Sequence, residues 1–115
     1  MSELPYADSY FDVVTAVETY YFWPNLGSDL GEVLRVLKPG GWLMIAGEAY
    51  RGSKYDERNA RWLGVDGVSA LSPDELADAV TMAGFVNAQV FLDYERGWIC
   101  AVGAKPASVV GKLLV

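Results

Sequence analysis

In this chain, short continuous runs of apolar residues alternate with segments in which the apolar residues have helical spacing. The run Phe11–Val17 is β-branched and almost continuously apolar, which is typical of a strand buried on both faces of a parallel sheet. A second apolar run at 42–46 predicts another buried strand. Between them, an apolar stripe predicts a helix over about 26–37, stopped by the Lys-Pro-Gly-Gly sequence at 38–41. Strand, helix and strand together form a βαβ unit.

The second half of the chain predicts two more helices and a hairpin. A short amphipathic helix is predicted within 51–67. Ser72 and Glu75 form a capping box around Pro73, which predicts the start of a helix that ends at Gly84. Two strands, at 87–94 and 98–104, are joined by three residues ending in glycine, which predicts an antiparallel hairpin. The order β-α-β-α-α-β-β predicts an α/β fold with a mixed sheet of about four strands.

Composition narrows the classes of function. A length of 115 residues suits a single domain. Fifteen acidic against nine basic residues give a net charge of −6, which argues against nucleic acid or an anionic membrane as a partner. No apolar run approaches the roughly 18 residues that span a bilayer. A single cysteine, Cys100, excludes an internal disulfide and indicates a reducing, cytoplasmic location. Without histidine, the commonest general base and zinc ligand is absent, and no metal site is predicted.

Two segments carry a resemblance to a known family. Residues 4–12 follow the pattern L-P-[FY]-x-[DN]-x-x-F-D, and residues 35–41 have the sequence R-V-L-K-P-G-G before the second strand. In this order, with a helix between them, they resemble the class I S-adenosylmethionine-dependent methyltransferases, in particular the small-molecule group that includes the ubiquinone and menaquinone methylases. The resemblance covers about 3–106. It implies a Rossmann-like fold, S-adenosylmethionine as cofactor and methyl transfer to a small molecule.

The glycine-rich cofactor loop of that family has no counterpart in this sequence. The family carries it after its first strand, whereas this chain has no G-x-G motif, and Gly40-Gly41 follows a helix and precedes a strand. We therefore interpret residues 1–115 as a single partial domain, the C-terminal half of a methyltransferase. Weak or absent binding of S-adenosylmethionine is expected for this chain alone.

The resemblance also implies a partial cofactor site. Leu4 and Pro5 would border the adenine pocket. Val17, Glu18 and Thr19 would face the methionine part of the cofactor.

Candidates for proton transfer stand where the parallel strands end, the edge at which open α/β sheets bind ligands. Glu18, Tyr20, Glu48 and Tyr50 occupy this edge and are weak candidates for a catalytic base, which is needed only if the acceptor loses a proton. Solvated or helix-dipole roles are equally open for the two glutamates. For Tyr20 and the aromatic residues at 21–23, core packing is the alternative to lining a substrate site.

A non-enzymatic interaction module, derived from a methyltransferase, is the second hypothesis. Without the preceding strands of the family, Phe11–Val17 has an apolar edge that is a template for pairing with another chain. The sequence therefore predicts a homodimer joined through this edge into one continuous sheet, or a complementary chain that supplies the missing strands.

Overall fold

A computed structural model of the chain describes residues 4–17, 25–63 and 71–107. In chain order its elements are β1 Phe11–Val17, α1 Leu26–Val36, β2 Leu37–Gly47, α2 Asp56–Leu63, α3 Pro73–Met82, β3 Val86–Asp93 and β4 Trp98–Ala104. This order confirms the β-α-β-α-α-β-β prediction.

The four strands form one mixed sheet in the order β1-β2-β4-β3. β1 and β2 are parallel, and the pairs β2–β4 and β3–β4 are antiparallel. The predicted parallel βαβ unit and terminal hairpin are therefore both confirmed. Within the described residues, β1 and β3 are the edge strands.

The hydrophobic core lies on one face of the sheet, beneath α1 and α3. Both helices contact the sheet and each other. Alternate residues of β2 and β4 point toward them, since the side-chain direction alternates along a strand. The buried side chains of this layer include Leu30, Val33, Leu43, Ile45, Leu76, Val80, Ile99 and Ala101.

The prediction that β1 is buried on both faces is wrong for the described residues. Only Ala16 of its seven residues is buried, and Val13 and Val17 are 56% and 58% exposed. The physical reason is the position of β1 at the edge of a sheet that has helices on one face. An apolar run indicates that a strand is suited to packing on both faces, but the described part of the chain does not supply packing partners on both faces of β1.

The junction between α1 and β2 also differs from prediction. The sequence predicted a turn at 38–41, whereas α1 ends at Val36 and β2 begins at Leu37 without a loop between them. Leu37 pairs with Phe11, and regular pairing resumes only at Trp42, so the residues between them bulge out of register. The Pro-Gly-Gly sequence therefore forms an irregularity within a strand.

Capping of α3 follows the prediction closely. The Ser72 hydroxyl accepts a hydrogen bond from the Glu75 N–H at 3.2 Å, and the Glu75 carboxylate accepts one from the Ser72 N–H at 3.0 Å. Pro73 occupies the first turn, and Gly84 follows the helix with φ of 110°. The predicted amphipathic helix is also present, as α2, within the range 51–67.

Candidate functional site

Five of the predicted site residues lie in the described part of the chain: Leu4, Pro5, Val17, Glu48 and Tyr50. Glu18, Thr19 and Tyr20 lie outside the described residues, as do the aromatic residues at 21–23.

A cavity of about 410 Å³ lies at the carboxyl ends of β1 and β2, the edge at which the sequence predicted a ligand. It is lined at this edge by Val17 and Glu48, which the structure therefore brings together. Antiparallel β3 and β4 contribute Phe91, Trp98 and Cys100. Apolar side chains form most of its wall, and this is the composition of a site for an organic ligand.

The aromatic wall of this cavity has a fixed ion pair at its margin. An Arg96 Nη donates a hydrogen bond to the Asp93 carboxylate at 2.7 Å, and its guanidinium lies 5.3 Å from the centre of the Trp98 ring. The hydrogen bond from Arg96 lowers the pKa of Asp93 below its ordinary value. Arg96, on the same hairpin, therefore keeps Asp93 ionised. Glu48 is the other carboxylate that lines the cavity.

Tyr50 does not suit the role of a catalytic base that the sequence left open for it. Its side chain is 2% exposed and does not line either cavity described in this section. Burial raises the pKa of its phenol, and neighbouring Tyr94 and the carboxylates of Asp56 and Asp93 raise it further. With a raised pKa the phenol stays protonated, so little phenolate is available to accept a proton. Tyr50 therefore belongs to the core.

Leu4 and Pro5 line a second cavity, of about 400 Å³, against α1. The Leu4 N–H donates to the Glu32 carboxylate at 2.8 Å, and Arg35 donates to the Leu4 carbonyl at 3.1 Å. Arg35 also donates to the Tyr6 carbonyl at 2.9 Å. These bonds fix the segment before β1 on the surface of α1.

Arg35 joins the two sequence segments that carry the family resemblance. Its guanidinium forms ion pairs with Glu32 at 2.6 Å and with Asp8 at 2.7 Å. The hydrogen bond from Arg35, reinforced by the Leu4 N–H, lowers the pKa of Glu32 to about 2. The same two carboxylates raise the pKa of Arg35. Asp8 stands in the first motif and Arg35 in the second, so this ion pair links the two segments.

The structure does not bring the five described candidates into one cavity. The cavity at Leu4 and Pro5 and the cavity at Val17 and Glu48 share no lining residue. The first lies beside the second half of α1, near the start of β1. β1 advances by about 20 Å from Phe11 to Val17, at roughly 3.3 Å a residue, so the two cavities lie at opposite ends of this strand.

Metal-ligating clusters and membrane-spanning helices are both absent from the described ranges. Residues 4–17, 25–63 and 71–107 contain no group of three or more metal-ligating side chains. None of the helices in those ranges is long and apolar enough to cross a bilayer.

Sequence comparison relates the chain to methyltransferases. A family model described as a methyltransferase domain matches residues 1–45. The 27-O-demethylrifamycin SV methyltransferase of Amycolatopsis mediterranei is 34% identical over 88 residues, which cover 71% of this chain and 32% of that protein. A phthiotriol/phenolphthiotriol dimycocerosates methyltransferase of Mycobacterium ulcerans is 49% identical over 41 residues, or 36% of this chain and 15% of the relative. The chain thus spans less than a third of these relatives.

Solved structures share the fold over most of this chain. An S-adenosylmethionine-dependent methyltransferase from Thermotoga maritima superposes with a TM-score of 0.80 at 22% identity, covering 90% of this chain and 60% of that one. A chain from a Haloferax volcanii complex of a methyltransferase with its activator gives a TM-score of 0.79 at 22% identity, covering 91% and 58%. The chain is therefore similar in sequence to methyltransferases, and it shares the fold of part of the S-adenosylmethionine-dependent methyltransferase domain.

Proposed function

We propose that this chain contributes to methyl transfer from S-adenosylmethionine to a small molecule. The cavity at the carboxyl ends of β1 and β2 carries the proposal, because open α/β sheets bind ligands at this edge. Val17 and Glu48 line it together, and the similarity to methyltransferases supplies the class of reaction. In the proposed site Val17 with residues 18–19 faces the methionine portion, and Leu4 and Pro5 are not part of it because they line the separate cavity against α1.

The residues around the cavity suit a cationic methyl donor. S-adenosylmethionine supplies a methyl group on a positively charged sulfur, and aromatic faces attract such a cation by roughly 0.5 to 2 kcal/mol. Phe91 and Trp98 offer these faces. The lone pair of the acceptor forms the new bond to carbon as the carbon–sulfur bond breaks and its electrons stay on sulfur. Where the acceptor must lose a proton, Glu48 receives it, with Glu18 and Tyr20 as the other candidates.

The cofactor half of the site is proposed to come from outside this sequence. The chain contains no G-x-G spacing, and glycines at that spacing let a backbone approach a nucleotide closely. The chain alone therefore binds S-adenosylmethionine weakly or not at all, and a complementary chain or segment supplies the loop. Isothermal titration calorimetry of S-adenosylmethionine into the purified chain tests this statement, and micromolar binding would contradict it.

A chimera tests the site itself. It joins this chain to the part of the Amycolatopsis relative that precedes the matched region, and it is expected to bind S-adenosylmethionine. Val17→Lys is expected to weaken that binding at least tenfold, because it places a second positive charge beside the cationic donor. Val86→Lys, at an exposed position of β3 outside the cavity, is the matched control. Equal binding by the two variants would remove the cavity from the cofactor site.

An interaction module without catalysis is the second candidate function. The observation that favours it is the position of β1, which pairs only with β2 in the described sheet and leaves its outer edge open to another strand. This function predicts a dimer in the absence of any cofactor. Light scattering at tens of micromolar protein measures the mass, and a value of 12.6 kDa, the monomer mass, would exclude it.

A further inference from the structure

The turn between β3 and β4, residues 94–97, joins two side chains of the cavity wall. Asp93 comes directly before the turn and Trp98 directly after it, and both line the cavity at the carboxyl ends of β1 and β2. Within the turn, the Gly97 N–H donates to the Asp93 carbonyl at 2.7 Å, and the Arg96 N–H donates to the Asp93 carboxylate at 3.1 Å. The path of the turn therefore sets where Asp93 and Trp98 stand in the wall.

Two neighbouring residues ahead of α2 hold this turn from outside. The Tyr55 hydroxyl donates to the Glu95 carbonyl at 2.6 Å, and the Lys54 ammonium donates to the Glu95 carboxylate at 2.7 Å. The Lys54 ammonium also lies 5.6 Å from the centre of the Tyr94 ring. These contacts therefore join the segment before α2 to the hairpin, which lies far from it in the sequence.

The Tyr55 ring packs directly on Gly97. Gly97 has a φ of 74°, and a Cβ built on it would stand 2.6 Å from Cδ2 and 3.1 Å from Cε2 of Tyr55. The Arg58 guanidinium lies 4.3 Å from the centre of the same ring and helps to hold it in place. Glycine at this position therefore serves both the left-handed backbone of the turn and the close approach of the ring.

The segment that carries Tyr55 is itself fixed to the fold. The Asp56 carboxylate accepts hydrogen bonds from the N–H groups of residues 52 and 53 at 2.9 and 3.2 Å. Arg51 forms an ion pair with Glu75 in the first turn of α3, one of the two helices that cover the core. Tyr55 therefore connects the cavity wall to a part of the structure that is held by its own contacts.

We propose that Tyr55 is a positioning residue for the cavity, and that it holds Trp98 in the cavity wall by fixing the hairpin turn. Tyr55 is not one of the lining residues, so it acts on a ligand only through the turn. A displacement of about 1 Å in a site can lower a rate roughly 100-fold, so the placement of the wall matters to whatever the cavity binds. The effect on cofactor binding rests on the proposed function, whereas the placement of Trp98 by Tyr55 does not.

Fluorine NMR of the chain labelled with 5-fluorotryptophan tests the placement of Trp98. The sequence contains four tryptophans, and Trp98→Phe and Trp42→Phe identify two of the signals. Tyr55→Ala and Tyr55→Phe are expected to shift or broaden the Trp98 signal. The Trp42 signal is expected to stay unchanged, because Trp42 pairs with Ala104 at the end of β4 that lies away from the turn. Tyr10→Phe, which removes a hydroxyl just before β1, is the matched control and should move neither signal.

A double-mutant cycle measures the contact between the Tyr55 ring and Gly97. Gly97→Ala is expected to lower the urea midpoint more in the wild-type chain than in Tyr55→Ala, because only the wild type has a ring in the way of the new Cβ. The backbone strain at position 97 is common to both and cancels in the cycle. Circular dichroism establishes that each variant is folded. Equal losses in the two backgrounds, or a Trp98 signal that neither Tyr55 variant moves, would overturn the proposal.

The chimera with the Amycolatopsis relative separates this proposal from the proposed function. In the chimera, Tyr55→Ala is expected to weaken the binding of S-adenosylmethionine at least tenfold, and Tyr10→Phe is expected to leave it unchanged. A chimera that does not bind S-adenosylmethionine contradicts the proposed function, and the fluorine signal of Trp98 then decides the role of Tyr55 by itself. Unchanged binding by Tyr55→Ala together with a displaced Trp98 signal would overturn the positioning role.

Discussion

Gly41 lies at the bulge where β1 and β2 meet, and replacement with alanine adds a methyl group where there is no room for one. A Cβ at this position would stand 2.8 Å from the Asp12 carbonyl oxygen and 2.9 Å from the Lys38 carbonyl oxygen. It would also lie 3.1 Å from the Leu37 side chain. Two of the three atoms belong to the backbone, so they can retreat only if the paired strands separate locally.

The expected cost follows from the geometry. Extra carbon atoms forced into a packed site destabilise a protein by about 1 to 3 kcal/mol. Because backbone atoms rather than flexible side-chain ends are in the way, we expect Gly41→Ala to lower the free energy of unfolding by about 2 kcal/mol. For a domain of 115 residues, this corresponds to a fall in melting temperature of roughly 8 °C.

Gly31→Ala is the matched control and should have the opposite sign. Gly31 lies in the middle of α1, and no atom stands within 4 Å of a Cβ built on it. Alanine is more favourable than glycine in a helix by about 0.8 to 1.0 kcal/mol, so this variant should be more stable than the wild type. Urea unfolding followed by circular dichroism measures both changes. An unchanged or increased stability for Gly41→Ala would refute the reasoning about backbone crowding.

Three further outcomes are expected. Ser72→Ala removes the cap of α3 and should lower the free energy of unfolding by about 1 kcal/mol in the same urea assay. The carboxyl of Glu32 should titrate near pH 2, as measured by NMR. Because this folded-state pKa lies below the ordinary 4.5, the stabilisation of the fold by ionised Glu32 is complete above pH 4.5 and is lost as the pH falls toward 2. Glu32→Gln should flatten this dependence of stability on pH. Since burial raises the pKa of Cys100, iodoacetamide should modify it more slowly in the native chain than in urea at the same pH.

Local patterns predicted the helices and strands well because each pattern depends only on residues that are close in sequence. The capping box at Ser72 and Glu75 needs only four neighbouring residues, and it formed as predicted. The burial of β1 depends instead on which elements stand beside it, so the apolar run Phe11–Val17 misled the prediction. The start of β2 was also misplaced, because the register with Phe11 rather than the Pro-Gly-Gly sequence decides it.

The candidate site was predictable only in part. Val17 and Glu48 line one cavity because β1 and β2 are parallel neighbours whose carboxyl ends meet at one edge of the sheet. Leu4 and Pro5 lie elsewhere because Glu32 and Arg35 bind the segment to α1 through side-chain contacts between residues about 30 positions apart. Charged residues on a helix give no indication in sequence of such distant partners.

The order of the strands also determines the order in which the sheet can assemble. β3 and β4 are joined by the short turn 94–97, whereas β1 and β2 are separated by residues 18–36. A shorter loop loses less chain entropy on closing, so the β3–β4 hairpin forms first and the β1–β2 pair follows. The two pairs join last, because β2 and β4 are separated by residues 48–97. Since β1 and β3 each have one neighbour in the described sheet, their amide protons should exchange with solvent faster than those of β2 and β4. The contact in the middle of the sheet, between β2 and β4, is therefore the last to form.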